Sequence, residues 1–272
     1  MKPINVTSPD GVRIAAYQAG NPDGPEILLL HGVFQCHLAW RAQMEDPALL
    51  SQFRMIAIDL RGHGRSGKPL DKASYTDDAR WAGDIAAVMA STGLKKPVLV
   101  GWSYAGRVIQ DYLRAHGTGK VAGINFVGAV GRTDPAASGP SRVHLVKMPE
   151  DDLPTMIAAT RGFVRGCFAR QPSQEAYEEI LAYNMLVPTP VRQALMQRSE
   201  NPGDLLPTLK LPVLVTHGEK DAIILPAMGR WTASAVPGAK LSLYPDAGHC
   251  PFAEDAPRFN RELAEFVRGA QR

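Results

Sequence analysis

Five times along this chain a short, largely apolar run stops at a glycine or a polar turn. The runs are Ile27 to Leu30, Met55 to Ile58, Val98 to Gly101, Ile124 to Val127 (interrupted by Asn125) and Val213 to Val215. Strands that are apolar at successive positions, not alternate ones, are buried on both faces. Parallel strands cannot be joined by tight turns, so each needs a crossover that covers the sheet. The segments between the runs supply such crossovers. Tyr75 to Gly93 carries Trp81, Ile85, Val88 and Met89 at helical spacing, with Thr76 or Asp77 as a cap. Tyr104 to His116 carries Val108, Ile109, Tyr112 and Leu113 as a stripe. The expected architecture is therefore an α/β fold, a mostly parallel central sheet with helices on both faces.

The ends of the chain extend this pattern. Ile4 to Thr7 and Val12 to Gln18 flank Ser8-Pro9-Asp10-Gly11, a hairpin signature that adds antiparallel strands at one edge. A helix over Leu225 to Ala235, a strand at Lys240 to Pro245 and a helix over Glu254 to Gly269 complete it, the last burying Phe259, Leu263, Phe266 and Val267. From Arg132 to Pro207 the alternation breaks into proline-interrupted helical fragments containing four methionines. The expected organisation is a core of residues 1–131 and 208–272, with a helical cap inserted at 132–207. Ligands of open α/β sheets bind at the carboxyl ends of the strands, where a cap would act as a lid.

Composition narrows the function. With 272 residues and 45% hydrophobic content, one sizeable domain with an insertion is expected. The net charge of +3 comes from lysines and arginines scattered along the chain, which argues against nucleic acid. No stretch approaches the ~20 apolar residues of a membrane helix, and the opening residues lack a signal-peptide pattern. Cys36, Cys167 and Cys250 are far apart, without the spacing of a zinc site or a disulfide framework. A cytoplasmic protein is the expectation.

The chemistry concentrates where strands end. Gly101-Trp102-Ser103-Tyr104-Ala105-Gly106 lies between a buried strand and a helix. A serine on such a sharp turn has strained backbone and an exposed hydroxyl, and its neighbours at two positions either side must be small. Gly101 and Ala105 are small, and Gly106 keeps helix and strand close. The start of the helix offers free N–H groups and a positive dipole end, so the Tyr104 N–H is a candidate oxyanion donor. A serine hydroxyl needs a general base. Of seven histidines, His249 stands in the loop Asp246-Ala247-Gly248-His249 between the last strand and the last helix. Asp221 follows the strand ending Thr216-His217-Gly218 and would fix the base's tautomer. Asp246 and Glu219 are the rival acids. The expected catalytic residues are Ser103, Asp221 and His249.

Taken together, His31-Gly32, Asp59-Leu60-Arg61-Gly62-His63-Gly64-Arg65-Ser66, the Gly101–Gly106 turn, Gly218-Glu219-Lys220-Asp221 and Ala247-Gly248-His249 resemble the α/β-hydrolase fold family over nearly the whole chain. The branch they are most similar to holds small serine esterases and cofactor-free haloperoxidases, or perhydrolases. The resemblance implies a second oxyanion donor at the Val33 N–H and a pocket near Phe34, with Trp102 as a further pocket candidate. It assigns no chemistry to His31 or to the Arg61–Ser66 turn.

The expected function is that of a serine hydrolase cleaving carboxylic esters through an acyl-enzyme, acting on a small-molecule ester or lactone without metal or organic cofactor. Lactone hydrolysis, including that of acyl-homoserine lactones, perhydrolysis and carbon–carbon cleavage run on the same triad. Aspartate-nucleophile dehalogenases and epoxide hydrolases are disfavoured by Ser103. An aminopeptidase would need acids in the cap. Glu150, Asp151, Asp152, Glu175, Glu178 and Glu179 are there, but read better as a solvated helical face. A non-catalytic ligand-binding receptor that keeps the triad is the reading from another class. The sequence leaves the oligomeric state open.

Overall fold

The computed structural model describes residues 1–271. Eight strands form one sheet in the order β1-β2-β4-β3-β5-β6-β7-β8. The opening hairpin is β1 (Lys2–Thr7) and β2 (Arg13–Gly20), paired antiparallel. β2 also runs antiparallel to β4 (Arg54–Ile58). From β4 onward every pairing is parallel, through β3 (Glu26–Leu30), β5 (Val98–Trp102), β6 (Gly123–Val127), β7 (Val213–Gly218) and β8 (Lys240–Tyr244). Every residue of β5, β6 and β7 is buried, so both faces of the sheet are covered there. The largely apolar runs in the sequence fall in these strands.

Two expected helices are each split by an aspartate. The helix foreseen over Tyr75 to Gly93 is a short turn, Ala73–Thr76, followed by Asp78–Thr92. Asp77 between them is extended and accepts the Ala79 N–H, so the cap interrupts one pattern into two helices. Likewise the last helix is Pro251–Glu254 followed by Ala256–Ala270, with Asp255 accepting the Arg258 N–H. Phe259, Leu263 and Val267 are buried in it, while Phe266 is only partly so.

Between β6 and β7 no strand forms. The chain builds the helices Arg142–Lys147, Leu153–Gly166, Gln174–Met185 and Thr189–Leu195. Asp152 and Ser173 cap two of them by accepting N–H bonds from Thr155 and Ala176. Arg192, in the last, is wholly buried without an acidic partner among the described residues. It donates instead to the carbonyls of Val187 and Asn184. No described helix is long and apolar enough to cross a membrane.

Candidate active site

β5 delivers Ser103, β7 delivers Asp221 and β8 delivers His249, each just past the carboxyl end of its strand. Ser103 has φ +55, a left-handed conformation that is uncommon for a residue with a side chain. The backbone holds it there. Its N–H donates to Val127 O at 2.9 Å, and its carbonyl accepts from Gly106 and Val130, both at 3.0 Å. The smallness of the neighbours is a steric demand. A Cβ at Gly101 would lie 2.5 Å from Ile109 Cδ1, and one at Gly106 would lie 2.8 Å from Ala129 Cβ and 3.0 Å from the Val130 carbonyl.

His249 Nδ1 donates to Asp221 Oδ2 at 2.7 Å. The same oxygen lies 3.2 Å from His217 Nε2, while Oδ1 accepts the N–H groups of Ile223 and Ile224 at 2.8 and 2.9 Å. Burial would raise the Asp221 carboxyl. The imidazoles of His249 and His217 outweigh it and hold the group well below the ordinary carboxylate range. His217 Nε2 also faces the Ile224 carbonyl at 3.0 Å, so that nitrogen carries the proton. Gly128, at φ +49, backs the pair: a Cβ there would stand 3.3 Å from His249 Nδ1. His249 Nε2 is buried and has no partner, and the Ser103 hydroxyl makes no hydrogen bond among the described residues. Trp102 joins the two sides, its indole N–H donating to the His249 carbonyl at 2.9 Å.

The segment between β6 and β7 grips this site at two places. The Cys167 carbonyl accepts the His249 N–H at 2.8 Å. Arg198 reaches the Tyr104 hydroxyl at 3.0 Å and pairs with Asp111 at 2.7 Å, and burial pushes Asp111 up to about 6. Glu254 ties the histidine loop to the segment: it accepts the N–H groups of Gly248 at 2.7 Å and of Ala169 and Arg170 at 2.9 Å. Burial raises its carboxyl against the pull of those donors. Sequence reasoning missed Glu254, His217 and Gly128. The spacing of His217 four residues before Asp221 was visible, whereas nothing local marks the partners of Glu254.

A cavity of about 350 Å³ opens over Ser103 and is lined by Val33 and Tyr104. Leu145, Phe163 and Leu195 line it from the segment above, and Ile223, Ile224 and Met228 from the core. The N–H groups of Val33 and Tyr104 donate to no acceptor among the described residues. The two pocket candidates lie elsewhere. Phe34 is fully buried at φ +62, with its ring under the Arg192 guanidinium at 5.2 Å, and Trp102 lines a different cavity.

Other candidates are accounted for by their partners. Asp246 pairs with Lys220 and Glu219 with Arg230, so neither rival acid bonds to His249. His31 accepts the Leu60 N–H and its other ring nitrogen meets the Gly32 carbonyl, while burial holds it down to about 4. His63 lies against the Arg61 carbonyl and is held to about 3 by burial. None of the six acids between 150 and 179 lines the cavity over Ser103. Cys36, His37 and Asp59 sit close enough to suggest metal ligands. However, Asp59 already accepts from His37 N, His37 Nδ1, Tyr17 and Arg65, and burial pushes the Cys36 thiol up to about 12. Cys167 and Cys250, far apart in sequence, meet side by side in the fold as free thiols.

A family model described as the alpha/beta hydrolase family matches residues 27–262. Among solved structures, a proposed aryl esterase from Burkholderia cenocepacia is 39% identical with a TM-score of 0.94, covering 99% of this chain and 99% of its own. The bifunctional esterase/perhydrolase DCH of Acinetobacter calcoaceticus is 28% identical over 97% of this chain and 99% of that protein. EphD of Mycobacterium tuberculosis, which bears an oxidoreductase name, is 40% identical over 145 residues, and the match spans 22% of that relative's length.

Proposed function

The chain belongs to the alpha/beta hydrolase family, and from that premise we propose that it cleaves carboxylic esters through an acyl-enzyme on Ser103. Ser103 Oγ attacks the ester carbonyl while His249 Nε2 takes its proton. Asp221 keeps the imidazole in the tautomer that leaves Nε2 free, and stabilises the imidazolium. The oxyanion forms between the N–H groups of Val33 and Tyr104. His249 then protonates the leaving alcohol, and water repeats the sequence on the acyl-enzyme.

The observation that carries this reading is the pair of unspent donors. Val33 and Tyr104 line the same cavity as a serine held at φ +55, and neither N–H finds an acceptor among the described residues. Each such donor is worth about 10²–10³ in rate when aimed at the oxyanion. Residues 132–207 serve as the cap over this cavity. Three buried free thiols suit a reducing cytoplasm.

Hydrolysis of p-nitrophenyl acetate, butyrate and octanoate, by the protein and by Ser103→Ala, tests the proposal. Steady multiple turnover that disappears in the variant supports it. A single burst in the unaltered protein points instead to a receptor. Turnover that survives the substitution removes Ser103 as nucleophile. Perhydrolysis is a second reading, favoured by the bifunctional name of the Acinetobacter relative. There hydrogen peroxide replaces water in the second half, and peracid release from an acyl donor is the measurement.

A further inference from the structure

Beside Trp102 lies a second chamber of about 600 Å³, larger than the cavity of about 350 Å³ over Ser103, and the two share no lining residue. Val164, Ile180 and Phe252 belong to its apolar wall. Charged and amide side chains stand there too, and most are engaged by the protein itself. Arg41 and Glu179 pair with each other, and Asp46 accepts from the Leu49 N–H and from Asn260. Glu254 accepts three backbone N–H groups and its carbonyl accepts from Arg170, while Gln171 donates to the Arg165 and Phe168 carbonyls. Glu45 is exposed to solvent. Gln35 and Tyr183 remain. They are 2% and 7% exposed, and neither side chain makes a hydrogen bond among the described residues. Buried amides and phenols ordinarily find partners, so two unpartnered ones on one cavity mark a place where a bound molecule supplies them.

The wall also sets the class of that molecule. Four carboxylates stand on it against two guanidiniums, and both guanidiniums have partners, so no free cation awaits an anion. Burial pushes the Tyr183 phenol well above its ordinary value and keeps it neutral. Gln35 and Tyr183 can each donate and accept, which suits a hydroxyl or an amide. A chamber of this volume takes a fused aromatic or alicyclic body with ease.

Four residues of the wall hold the loop of His249. The Trp102 indole donates to the His249 carbonyl at 2.9 Å, and its ring lies 5.6 Å from the imidazole. The Cys167 carbonyl accepts the His249 N–H at 2.8 Å, Glu254 accepts the Gly248 N–H at 2.7 Å, and Cys250 follows His249 in the chain. All four line the chamber, which therefore reaches His249 only through them.

We propose that this chamber is a second ligand site, separate from the cavity over Ser103. It takes a neutral molecule with a fused-ring apolar body and one hydroxyl or amide group, and its occupant restrains the loop that carries His249. The site stands apart from the serine-esterase reading, and only its effect on turnover rests on that reading.

Titration with 2-naphthol, followed by its fluorescence, tests the site. It should bind about fivefold more tightly than naphthalene, which lacks the hydroxyl, and more tightly than the anionic 2-naphthoate. Tyr183→Phe should narrow the gap between 2-naphthol and naphthalene. Ile180→Trp fills the chamber, and Ala176→Phe on the same wall guards against a variant that fails to fold. Each should weaken 2-naphthol binding about tenfold or more. Met196→Trp, which narrows the cavity over Ser103, should leave it unchanged. In p-nitrophenyl acetate hydrolysis, saturating 2-naphthol should raise kcat about fivefold with KM unmoved. Absent binding, binding that survives both chamber variants, or binding that Met196→Trp removes overturns the site. An effect on KM alone overturns its separation from Ser103, and a kcat unchanged or lowered overturns its restraint of the loop. A protein that binds 2-naphthol in the chamber yet turns over no ester overturns the esterase reading and leaves the site standing.

Discussion

Ser103 and His249 reach the same site by different physical means. Ser103 is held by main chain: three backbone hydrogen bonds, a left-handed φ, and glycines where any Cβ would collide. No side-chain hydrogen bond among the described residues fixes it. His249 is held by side chains and by other segments. Asp221 and, behind it, His217 hold its ring. The Trp102 indole, the Cys167 carbonyl and Glu254 hold its loop. Ser103 is thus fixed by shape and His249 by charge and polarity, and the two sides should fail differently.

The largest difference is expected on the base's side. Asp221→Asn presents an amide to His249 and favours the wrong tautomer, so kcat for p-nitrophenyl acetate should fall about 10⁴-fold with KM little changed. A loss below tenfold would mean that another group orients the histidine. Next comes a steric change on the other side. Gly106→Ala drives a methyl into Ala129 and the Val130 carbonyl, and should destabilise the fold by about 1–3 kcal/mol in urea unfolding. A variant as stable as the parent would show that the elbow can relax.

A smaller effect separates hydrogen bonding from packing at His217. His217→Phe keeps a ring but removes the donor to Asp221, leaving the carboxylate more basic and the imidazolium better stabilised. The acid limb of the kcat/KM profile should move to higher pH by about one unit, so the rate on that limb should fall about tenfold. His217→Gln, which can still donate, should restore much of both. Equal profiles for Phe and Gln would reduce His217 to packing.

The smallest effect is one of pH and stability. The Asp221 carboxyl is depressed in the fold, so it contributes stability that is fully present above its unfolded value of 3.8 and lost as pH falls below it. Asp221→Asn should therefore flatten the decline of melting temperature below pH 4, whereas Gly106→Ala should lower the curve by the same amount at every pH. Parallel curves for both variants would erase the contrast between the two sides.

The same contrast explains what the sequence made legible. The elbow is a local constraint, so its small residues stand next to Ser103 in the chain and can be read there. Asp221 is legible because it follows a strand whose apolar run announces it, and His249 because it stands in the loop between the last strand and the last helix. Glu254 is not, because the N–H groups it accepts are 6, 84 and 85 residues away and only folding brings them together. The Cys167–Cys250 contact was hidden for the same reason. Phe34 and Trp102 were misplaced relative to the Ser103 cavity because position after a motif fixes the backbone but not the side-chain direction. Phe34 turns away under Arg192, a residue of a helix that periodicity alone could not dock.

The grip of Glu254 on Gly248, Ala169 and Arg170 bears on how such enzymes can be rebuilt. Segments between core strands are attractive units for recombination, since they carry specificity and interrupt the sheet nowhere. Here the graft would not be free-standing. A donor segment brought in without amides placed like those of Ala169 and Arg170, or set into a recipient lacking a carboxylate at position 254, would loosen the loop that carries His249. Chimaeras of this chain should be cut so that residues 167–170 and 248–254 travel as one inheritance.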